Sequence, residues 1–368
     1  MSITKKVTQR ATVLVVGLGL VTLSACSSDG GGGDGGASGS GGSKTVTLVS
    51  HNSWAASKDV IAAFEKESGY KVKVLKDGDA GSAVNKAILT KDNPQGDVFF
   101  GVDNTLLSRA LDNGLFQSYK VKDHDLVLPE FRVDEGKHRV TPVDTGDVCV
   151  NYDKAWFEKK GVTPPETLDD LVEPQYKDLL VVENASTSSP GLGFLLGTAA
   201  KYGDDGWEGY WKKLKANGVK VVDGWEQAYN EEFSGSAGGK EAKADRPLVV
   251  SYASSPPAEV IYADPKPDTA PTGVAEGTCF RQVEYAGLLS NAANPEGGKA
   301  LLDFLVSKEF QDDMPLNMFV HPVREDAELP KEFAQYGPRA KNPQTLDPAK
   351  IAENRDQWVK SWTSLVLK

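Results

Sequence analysis

Hydroxylated side chains precede a proline and two glycines in the segment NASTSSPGLGF, residues 184–194. Hydroxyl groups are preferred helix N-caps, and proline fits the first helical turn because its missing N–H would have no intrahelical partner there. The pattern therefore predicts that a helix begins near Ser188 and Ser189. Such a helix start presents free N–H groups and the positive end of the dipole. The segment is thus either a well-capped structural helix or a site for an anion such as phosphate.

Polar side chains also follow the predicted strands near the beginning of the chain. His51 follows the first strand, Asp77 and Gly78 follow the second, and Asp103 follows the third. In open α/β sheets, ligands bind beyond the carboxyl ends of the strands. We therefore expect these turns to line one cleft.

A sheet must position these turns. The segments KTVTLVSH (44–51), YKVKVL (70–75) and GDVFFGVD (96–103) have the β-branched or alternating pattern of strands. The segments SKDVIAAFEKESG and NKAILTK, which lie between them, have the pattern of helices. Strands that alternate with helices indicate an α/β fold whose sheet contains parallel pairs.

Two further blocks complete the predicted organisation. A middle block begins near Asn151 and contains a proline-led helix in PPETLDDLV and a buried strand in PLVVSY. A third block, from about Gly273, contains a strand in EGTCFRQVEYAGLL and one amphipathic helix in PEGGKALLDFLVSKEFQDDM. The chain ends in a predicted helix whose Ile351, Trp358 and Leu365 share one face, which we expect to pack into a groove.

The beginning of the chain predicts export and anchoring. A basic start precedes an apolar run that is too short to span a membrane comfortably, and the run ends in LSAC. This ending resembles the lipobox of bacterial lipoproteins, which implies that residues 1–25 are a signal peptide and that Cys26 carries a lipid. Residues 26–43 are rich in glycine and serine and are expected to be a flexible tether. The protein would then be held at the outer face of the cell membrane.

Composition excludes several classes of function. The formal net charge is −11, and the signal region is basic, so the rest of the chain is more acidic still. Nucleic-acid binding requires basic surfaces, so we expect this acidic chain not to bind nucleic acid. The four histidines are scattered in the sequence without ligand spacing, so no metal site is expected. Besides Cys26 only Cys149 and Cys279 remain, and they are either joined in a disulfide or free.

Several segments, in order along nearly the whole mature chain, resemble the thiamine-binding component of bacterial ABC importers. These segments are GVDNTLLSRALDNGLF, TSSPGLGFLLG, DGWEQAY, VVSYASSP, EGTCFRQVEYA and DQWVKSW. The resemblance implies a two-lobed, type II periplasmic-binding-protein fold that captures its ligand between the lobes. Residues 44–148 and 273–368 would form lobe one, and residues 149–272 would form lobe two.

The resemblance also implies which residues bind the ligand. Asp77 and Gly78 match the acidic turn after the second strand, and Ser188 matches a serine at the phosphate end. Trp225 matches a stacking tryptophan, and Tyr252 matches the tyrosine after the VVS motif. These positions are expected to form most of the cage around the ligand.

Three positions depart from the family pattern. His51 stands where the family has a tyrosine, Phe319 where it has a tryptophan, and Ala258 where it has a second tyrosine. Thiamine contains a permanently charged thiazolium, which aromatic faces and a nearby carboxylate hold best. Phe319 is therefore expected to supply a face and Asp77 or Asp103 a charge, in a cage that is less aromatic than the family pattern.

The sequence thus predicts a binding protein that is not an enzyme. It would capture thiamine or a thiamine mono- or diphosphate and deliver it to an ABC permease, as a monomer and without a cofactor. No phosphate-binding loop of the G-x-x-x-x-G-K-[ST] type occurs, which fits an ATPase on a separate chain. The alternatives are a carrier of a polyamine or of ferric iron, and a thiaminase-like enzyme with Cys149 as nucleophile.

Overall fold

The computed structural model describes residues 44–368. The predicted signal peptide, Cys26 and the predicted tether lie outside the described residues. In the described part of the chain, no helix is both long enough and apolar enough to cross a membrane.

The described chain contains strands and helices in mixed order. The strands are β1 (Thr45–Ser50), β2 (Lys71–Lys76), β3 (Val98–Asp103), β4 (Phe116–Gln117), β5 (Thr141–Asp153), β6 (Leu180–Glu183), β7 (Lys220–Val222), β8 (Leu248–Tyr252), β9 (Thr272–Leu289) and β10 (His321–Pro322). The helices are α1 (Lys58–Ser68), α2 (Ala80–Leu89), α3 (Leu107–Asp112), α4 (Lys154–Lys160), α5 (Ser189–Ala216), α6 (Trp225–Gln227), α7 (Ala237–Ala242), α8 (Pro256–Ile261), α9 (Pro295–Leu305), α10 (Lys308–Asn317), α11 (Lys331–Tyr336) and α12 (Pro348–Val366).

One sheet runs through the molecule in the order β2-β1-β3-β9-β5-β8-β6-β7. At one end, β1 is parallel to β2 and β3, and at the other end β6 is parallel to β7 and β8. The long strands β5 and β9 pair antiparallel along most of their length in the middle. The predicted α/β sheet with parallel pairs is confirmed, and its two parallel halves are joined by two long strands.

Capping residues explain where the predicted helices begin and end. Ser57 accepts a hydrogen bond from the Val60 N–H at the start of α1, and Gly69 ends that helix in a left-handed conformation with φ of 75°. Helix α5 begins at Ser189 with Ser188 as its N-cap, so the predicted helix start is confirmed. Its proline lies in the first turn, where a missing N–H leaves no intrahelical bond unmade.

The predicted proline-led helix in PPETLDDLV is wrong. The structure has only a short 3-10 turn, Asp170–Val172, in that segment. The Asp170 carboxylate accepts hydrogen bonds from the main-chain N–H groups of Glu166 and Thr167, and the Glu166 carbonyl accepts one from Gly277 of β9. These bonds hold the preceding chain against β9 and leave too few residues for a regular helix.

The single helix predicted in PEGGKALLDFLVSKEFQDDM is also wrong, because two helices occupy it. Ser307 has an extended backbone between α9 and α10, and its hydroxyl accepts a hydrogen bond from the Phe310 N–H. A serine side chain can cap a new helix by bonding to a main-chain N–H. The helix is therefore interrupted at Ser307, although the amphipathic pattern of residues continues across it.

The C-terminal helix packs as its periodicity predicts. Helix α12 lies against α5 and α3, with Ile351 and Trp358 buried and Leu365 half-buried. Trp362 is buried as well, and its ring meets that of Trp211 edge to face at 5.5 Å between centroids. This contact fixes the end of the chain on the helix that begins at the predicted anion site.

Cys149 of β5 and Cys279 of β9 are joined in a disulfide. They lie in a small buried cluster with Ala253 and Ala340. A sulfur in a disulfide is not a free thiolate, so Cys149 cannot be the nucleophile that the thiaminase-like alternative requires.

Candidate functional site

A cleft of about 740 Å³ opens between the two halves of the sheet. Its volume is in the range of small-molecule binding sites. The lining residues lie within 51–55 after β1, 76–82 between β2 and α2, 187–190 at the start of α5, 223–231 around α6, 252–258 after β8, position 284 on β9, and 317–320 after α10. The turns after β1 and β2 therefore meet around one cavity as predicted, whereas the turn after β3, with Asp103, is not part of its lining.

Trp225 is held in place on the cleft wall by contacts on several sides. Its indole N–H donates to the Ser251 hydroxyl at 2.8 Å, and that hydroxyl is hydrogen-bonded to Ser255 at 2.8 Å. Its ring stacks on Tyr229 with centroids 5.0 Å apart and planes at 15°. Its main-chain N–H donates to the Asp79 carboxylate at 2.9 Å. The indole is therefore pre-oriented to present a face to a ligand.

Other aromatic rings complete this part of the wall. Tyr252 ends β8 and packs over Gly146, where a Cβ would lie 2.9 Å from the tyrosine ring. Burial, followed by the nearby carboxylates, raises the pKa of Tyr252 well above its usual range, so the side chain is a neutral phenol. Phe319 also lines the cleft and has a left-handed backbone, with φ of 55°, and its ring meets Tyr262 edge to face.

His51 reaches the cleft at the end of β1. Gly101 makes room for it, because a Cβ there would lie 2.5 Å from the imidazole, and its φ of 106° itself favours glycine. The His51 Nε2 atom is 3.6 Å from the Glu284 carboxylate. Burial alone would lower the pKa of His51, but Glu284 and then Asp79 outweigh it, and the pKa lies above its usual value of 6.5.

Two carboxyl groups on neighbouring strands lie opposite Glu284, which lines the cleft. Glu284 of β9 is the register partner of Asp103 on β3 and of Asp144 on β5. Burial raises the pKa of Asp103 to about 6, while hydrogen bonds from Thr105 and Gln282 act against that rise. Burial and the neighbouring Glu284 raise the pKa of Asp144 well above its usual range. Glu284 is the member of this group that reaches the cavity wall.

Asp79 is a second carboxylate on the wall, and it links the two sides of the cleft. It caps α2 by accepting from the Ala80 N–H at 2.7 Å, and it also accepts from the Trp225 N–H. Burial raises the pKa of Asp79, and the main-chain N–H groups of Trp225, Ala80 and Ser189 partly offset that rise. The start of α5 therefore already faces a carboxylate.

Most of the predicted ligand residues line the cavity. They are His51, Gly78, Ser189, Trp225, Tyr252 and Phe319, and Ala258 lies on the same wall. Gly78 ties two of the turns together, since its N–H donates to the Asn52 side chain at 3.2 Å and its carbonyl accepts from the Asn52 N–H at 2.9 Å.

The structure places three predicted residues outside this wall: Asp77, Ser188 and Asp103. Asp77 forms an ion pair with Lys86 of α2, whereas Asp79, beyond the left-handed Gly78 with φ of 87°, faces the cleft. Ser188 is buried as the N-cap of α5, and among residues 44–368 its hydroxyl has no hydrogen-bond partner. Asp103 accepts hydrogen bonds from Thr105 and from Gln282 beneath the wall.

Other wall residues were not among the predicted ligand residues, including Trp54, Asp79, Tyr229 and Glu284. The signals for three of them were present in the sequence. Asp79 belongs to the same polar turn as Asp77, and Tyr229 comes four residues after Trp225, which is helical spacing. Glu284 is an acid within an apolar strand segment, a pattern that favours a buried functional carboxylate.

The structure brings together two of the histidines that are scattered in the sequence. His124 and His138 are 14 positions apart in the sequence, yet their ring centroids lie 5.0 Å apart. The turn of the chain between them brings them together, and sequence spacing alone gave no sign of that turn.

Known proteins resemble this chain over most of its length. Residues 93–354 match the family described as bacterial extracellular solute-binding protein. The thiamine-binding periplasmic protein of Salmonella typhimurium is 31% identical over 315 residues, which are 85% of this chain and 89% of the relative. A solved periplasmic thiamin binding protein superposes with a TM-score of 0.75 at 29% identity, over 88% of this chain and 96% of the other. The ferric binding protein from Campylobacter jejuni, with a TM-score of 0.68 at 18% identity, shares the fold.

Proposed function

The chain belongs to the bacterial extracellular solute-binding protein family, and on that premise we propose that it captures thiamine and delivers it to an ABC importer. The predicted two-lobed, type II fold is confirmed by the solved periplasmic binding proteins that match nearly all of the described chain. The prediction that the protein is not an enzyme agrees with a family of solute-binding proteins.

The observation that carries the proposal is the pairing of aromatic rings with carboxylates around one cavity. Trp225 and Tyr252 supply ring faces, and Asp79 and Glu284 supply negative charge. A thiazolium is permanently charged and cannot donate hydrogen bonds through its nitrogen, so ring faces and carboxylates are the groups that stabilise it. Each cation–π contact contributes roughly 0.5–2 kcal/mol.

The distribution of charge bears on which form of thiamine is bound. The acids on the cavity wall are Asp79, Asp223, Glu226, Glu231 and Glu284, and the basic side chains are Lys76 and His51. The predicted phosphate site at the start of α5 faces Asp79, whose ionised form the Ser189 N–H already stabilises. We therefore expect each added phosphate to weaken binding, or at best to leave it unchanged.

The experiment that tests this function is a calorimetric titration of the full chain in detergent, after unfolding and refolding to remove bound ligand. Thiamine, its monophosphate, its diphosphate, spermidine and ferric citrate are compared. We expect free thiamine to bind at least as tightly as the diphosphate, with spermidine and ferric citrate silent. Binding of spermidine or iron alone would support the alternative cargo, and no heat with any thiamine form would refute the proposal.

The lobes proposed for closure are residues 44–148 with 273–368, and residues 149–272. Both boundaries fall within the long central strands, at Val148 in β5 and at Gly273 in β9. Because β5 and β9 run from one half of the sheet to the other, bending there would move the halves relative to each other without breaking either.

The proposed location is the outer face of the cell membrane, with a lipid on Cys26. The motif LSAC and the adjoining glycine- and serine-rich segment support it. We expect Cys26→Ala to move the protein from the membrane fraction to the soluble fraction of cells, detected by immunoblot. An unchanged membrane fraction for Cys26→Ala would contradict lipid anchoring.

A further inference from the structure

Two histidines and a glutamate converge on lobe one, away from the proposed thiamine cleft. The side-chain ligand atoms of His124, Glu135 and His138 all lie within 4.8 Å of one another. Among the described residues that line the cleft, none belongs to this group. We propose that these three residues bind a divalent transition-metal ion such as Zn²⁺.

Packing fixes His124, the buried member of the group. It begins a 3-10 turn, His124–Leu126, and is only 6% exposed. The preceding Asp123 binds the Arg324 guanidinium at 2.6 Å, and Val127 forms a β-bridge with the same arginine residue. The imidazole is thus anchored at both ends of its turn to the segment around Arg324.

A separate turn brings His138 back against His124. His138 has a left-handed backbone, φ of 49°, and its N–H donates to the Asp134 carbonyl at 2.7 Å. The Asp134 carboxylate binds the Arg139 side chain through two of its nitrogens, at 2.7 and 2.9 Å. This arrangement sets the two imidazoles edge to face, with centroids 5.0 Å apart.

The donor set suits a transition metal. Imidazole nitrogens and a carboxylate are ligands for Zn²⁺, Cu²⁺ and Ni²⁺, whereas alkaline-earth ions prefer an all-oxygen set and are held poorly by imidazole. Tetrahedral ligands at roughly 2.0–2.1 Å from zinc lie about 3.3 Å apart. His124 Nε2 is already 3.1 Å from a Glu135 carboxylate oxygen, and the half-exposed glutamate can rotate to complete the site. Three protein ligands leave a fourth position for water.

A His124–Glu135 ion pair alone would account for two of these residues. It gives no reason for His138 to adopt a left-handed backbone and place its ring against the pair. A metal ion would join residues from both ends of the 124–138 segment, which has little regular structure. Binding would therefore stabilise the folded state, because the ligands are brought together only there.

The test uses the full chain in detergent, without a histidine tag and stripped with EDTA. We expect Zn²⁺ to bind with one-to-one stoichiometry in calorimetry and to raise the melting temperature. Glu135→Gln and His138→Asn should each weaken Zn²⁺ binding at least tenfold. Asparagine is chosen because it tolerates left-handed backbone angles better than most residues.

Glu353→Gln is the matched control, because Glu353 is an exposed glutamate on α12. It should bind Zn²⁺ as the wild type does, and all variants should retain thiamine binding if the proposed function is correct. Absence of Zn²⁺ binding in a folded wild type would overturn the site. Zn²⁺ binding that Glu135→Gln and His138→Asn leave unchanged would overturn it as well, since the ion would then lie elsewhere.

Discussion

Trp225→Ala is expected to weaken thiamine binding at least thirtyfold, measured by calorimetric titration of the full chain. The indole lies on the cleft wall and is stacked on Tyr229 at 5.0 Å between centroids. Removal of the ring deletes a cation–π or stacking contact of up to about 2 kcal/mol together with the apolar area that the ligand covers. A loss of 2 kcal/mol corresponds to about thirtyfold in affinity.

Trp225→Phe separates the ring face from the hydrogen bond. Phenylalanine keeps a stacking face but loses the N–H that donates to Ser251 at 2.8 Å. We expect an affinity between those of the wild type and Trp225→Ala. Trp156→Phe is the control, since Trp156 packs on Phe157 outside the cleft wall. Thiamine affinity within twofold of the wild type for a folded Trp225→Ala would contradict the stacking role.

Local signals in the sequence were sufficient for most of the fold. Ser57 and Gly69 mark the ends of α1, and the alternating residues of β2 follow directly. The failures came where a local signal had two readings. The pattern around Ser307 predicts a continuous helix, but Ser307 is an N-cap. The pattern around Asp170 also predicts a helix, but the Asp170 carboxylate accepts a hydrogen bond from the Thr167 N–H of the preceding segment. Tertiary contacts decide between such readings, and a single sequence does not contain them.

The candidate site was predictable to the level of the turn and not of the residue. The turn after β2 was expected at the cleft, but which of its acids faces the cavity depends on the φ of Gly78. Asp77 thus lies beside Lys86, and Asp79 takes the place expected for it. Glu284 was missed for another reason: its position opposite Asp103 and Asp144 follows from strand register, which requires the whole sheet order.

Glu284→Gln is expected to weaken thiamine binding ten- to a hundredfold, because it removes a carboxylate from the cavity wall at nearly constant shape. Opposite charges about 5 Å apart interact by roughly 3 kcal/mol at an effective dielectric constant near 20. Part of that loss would be recovered, since the pKa of Asp144 is raised by burial and then by Glu284. Without Glu284 the pKa of Asp144 falls and it ionises more readily, so Asp144→Asn combined with Glu284→Gln should bind more weakly still.

Two controls test whether charge is responsible. The first is a different ligand, thiochrome, which is an uncharged tricyclic oxidation product of thiamine. The second is a variant of another carboxylate on the cavity wall. Glu284→Gln should change thiochrome affinity by less than about threefold, because uncharged thiochrome has no ionic attraction to the Glu284 carboxylate that the substitution could remove. Glu226→Gln alters an exposed acid on the same wall and should have a small effect on thiamine, since solvent screens that carboxylate. A Glu284→Gln variant that loses thiamine and thiochrome affinity equally would show that shape, and not charge, was changed.

The pH dependence of binding gives Glu284 a second signature. Protonation of His51 adds positive charge to the cavity, so the affinity for a permanent cation should fall as the pH is lowered through the pKa of this histidine. Burial lowers the pKa of His51, Glu284 and then Asp79 raise it, and Lys76 lowers it by the smallest amount, so that the pKa as a whole is raised. In Glu284→Gln the largest raising influence is gone, and the midpoint of the affinity–pH curve should move to lower pH. An unchanged midpoint would contradict the influence of Glu284 on the pKa of His51, and Asp79 would then be the carboxylate that governs the pH dependence of binding.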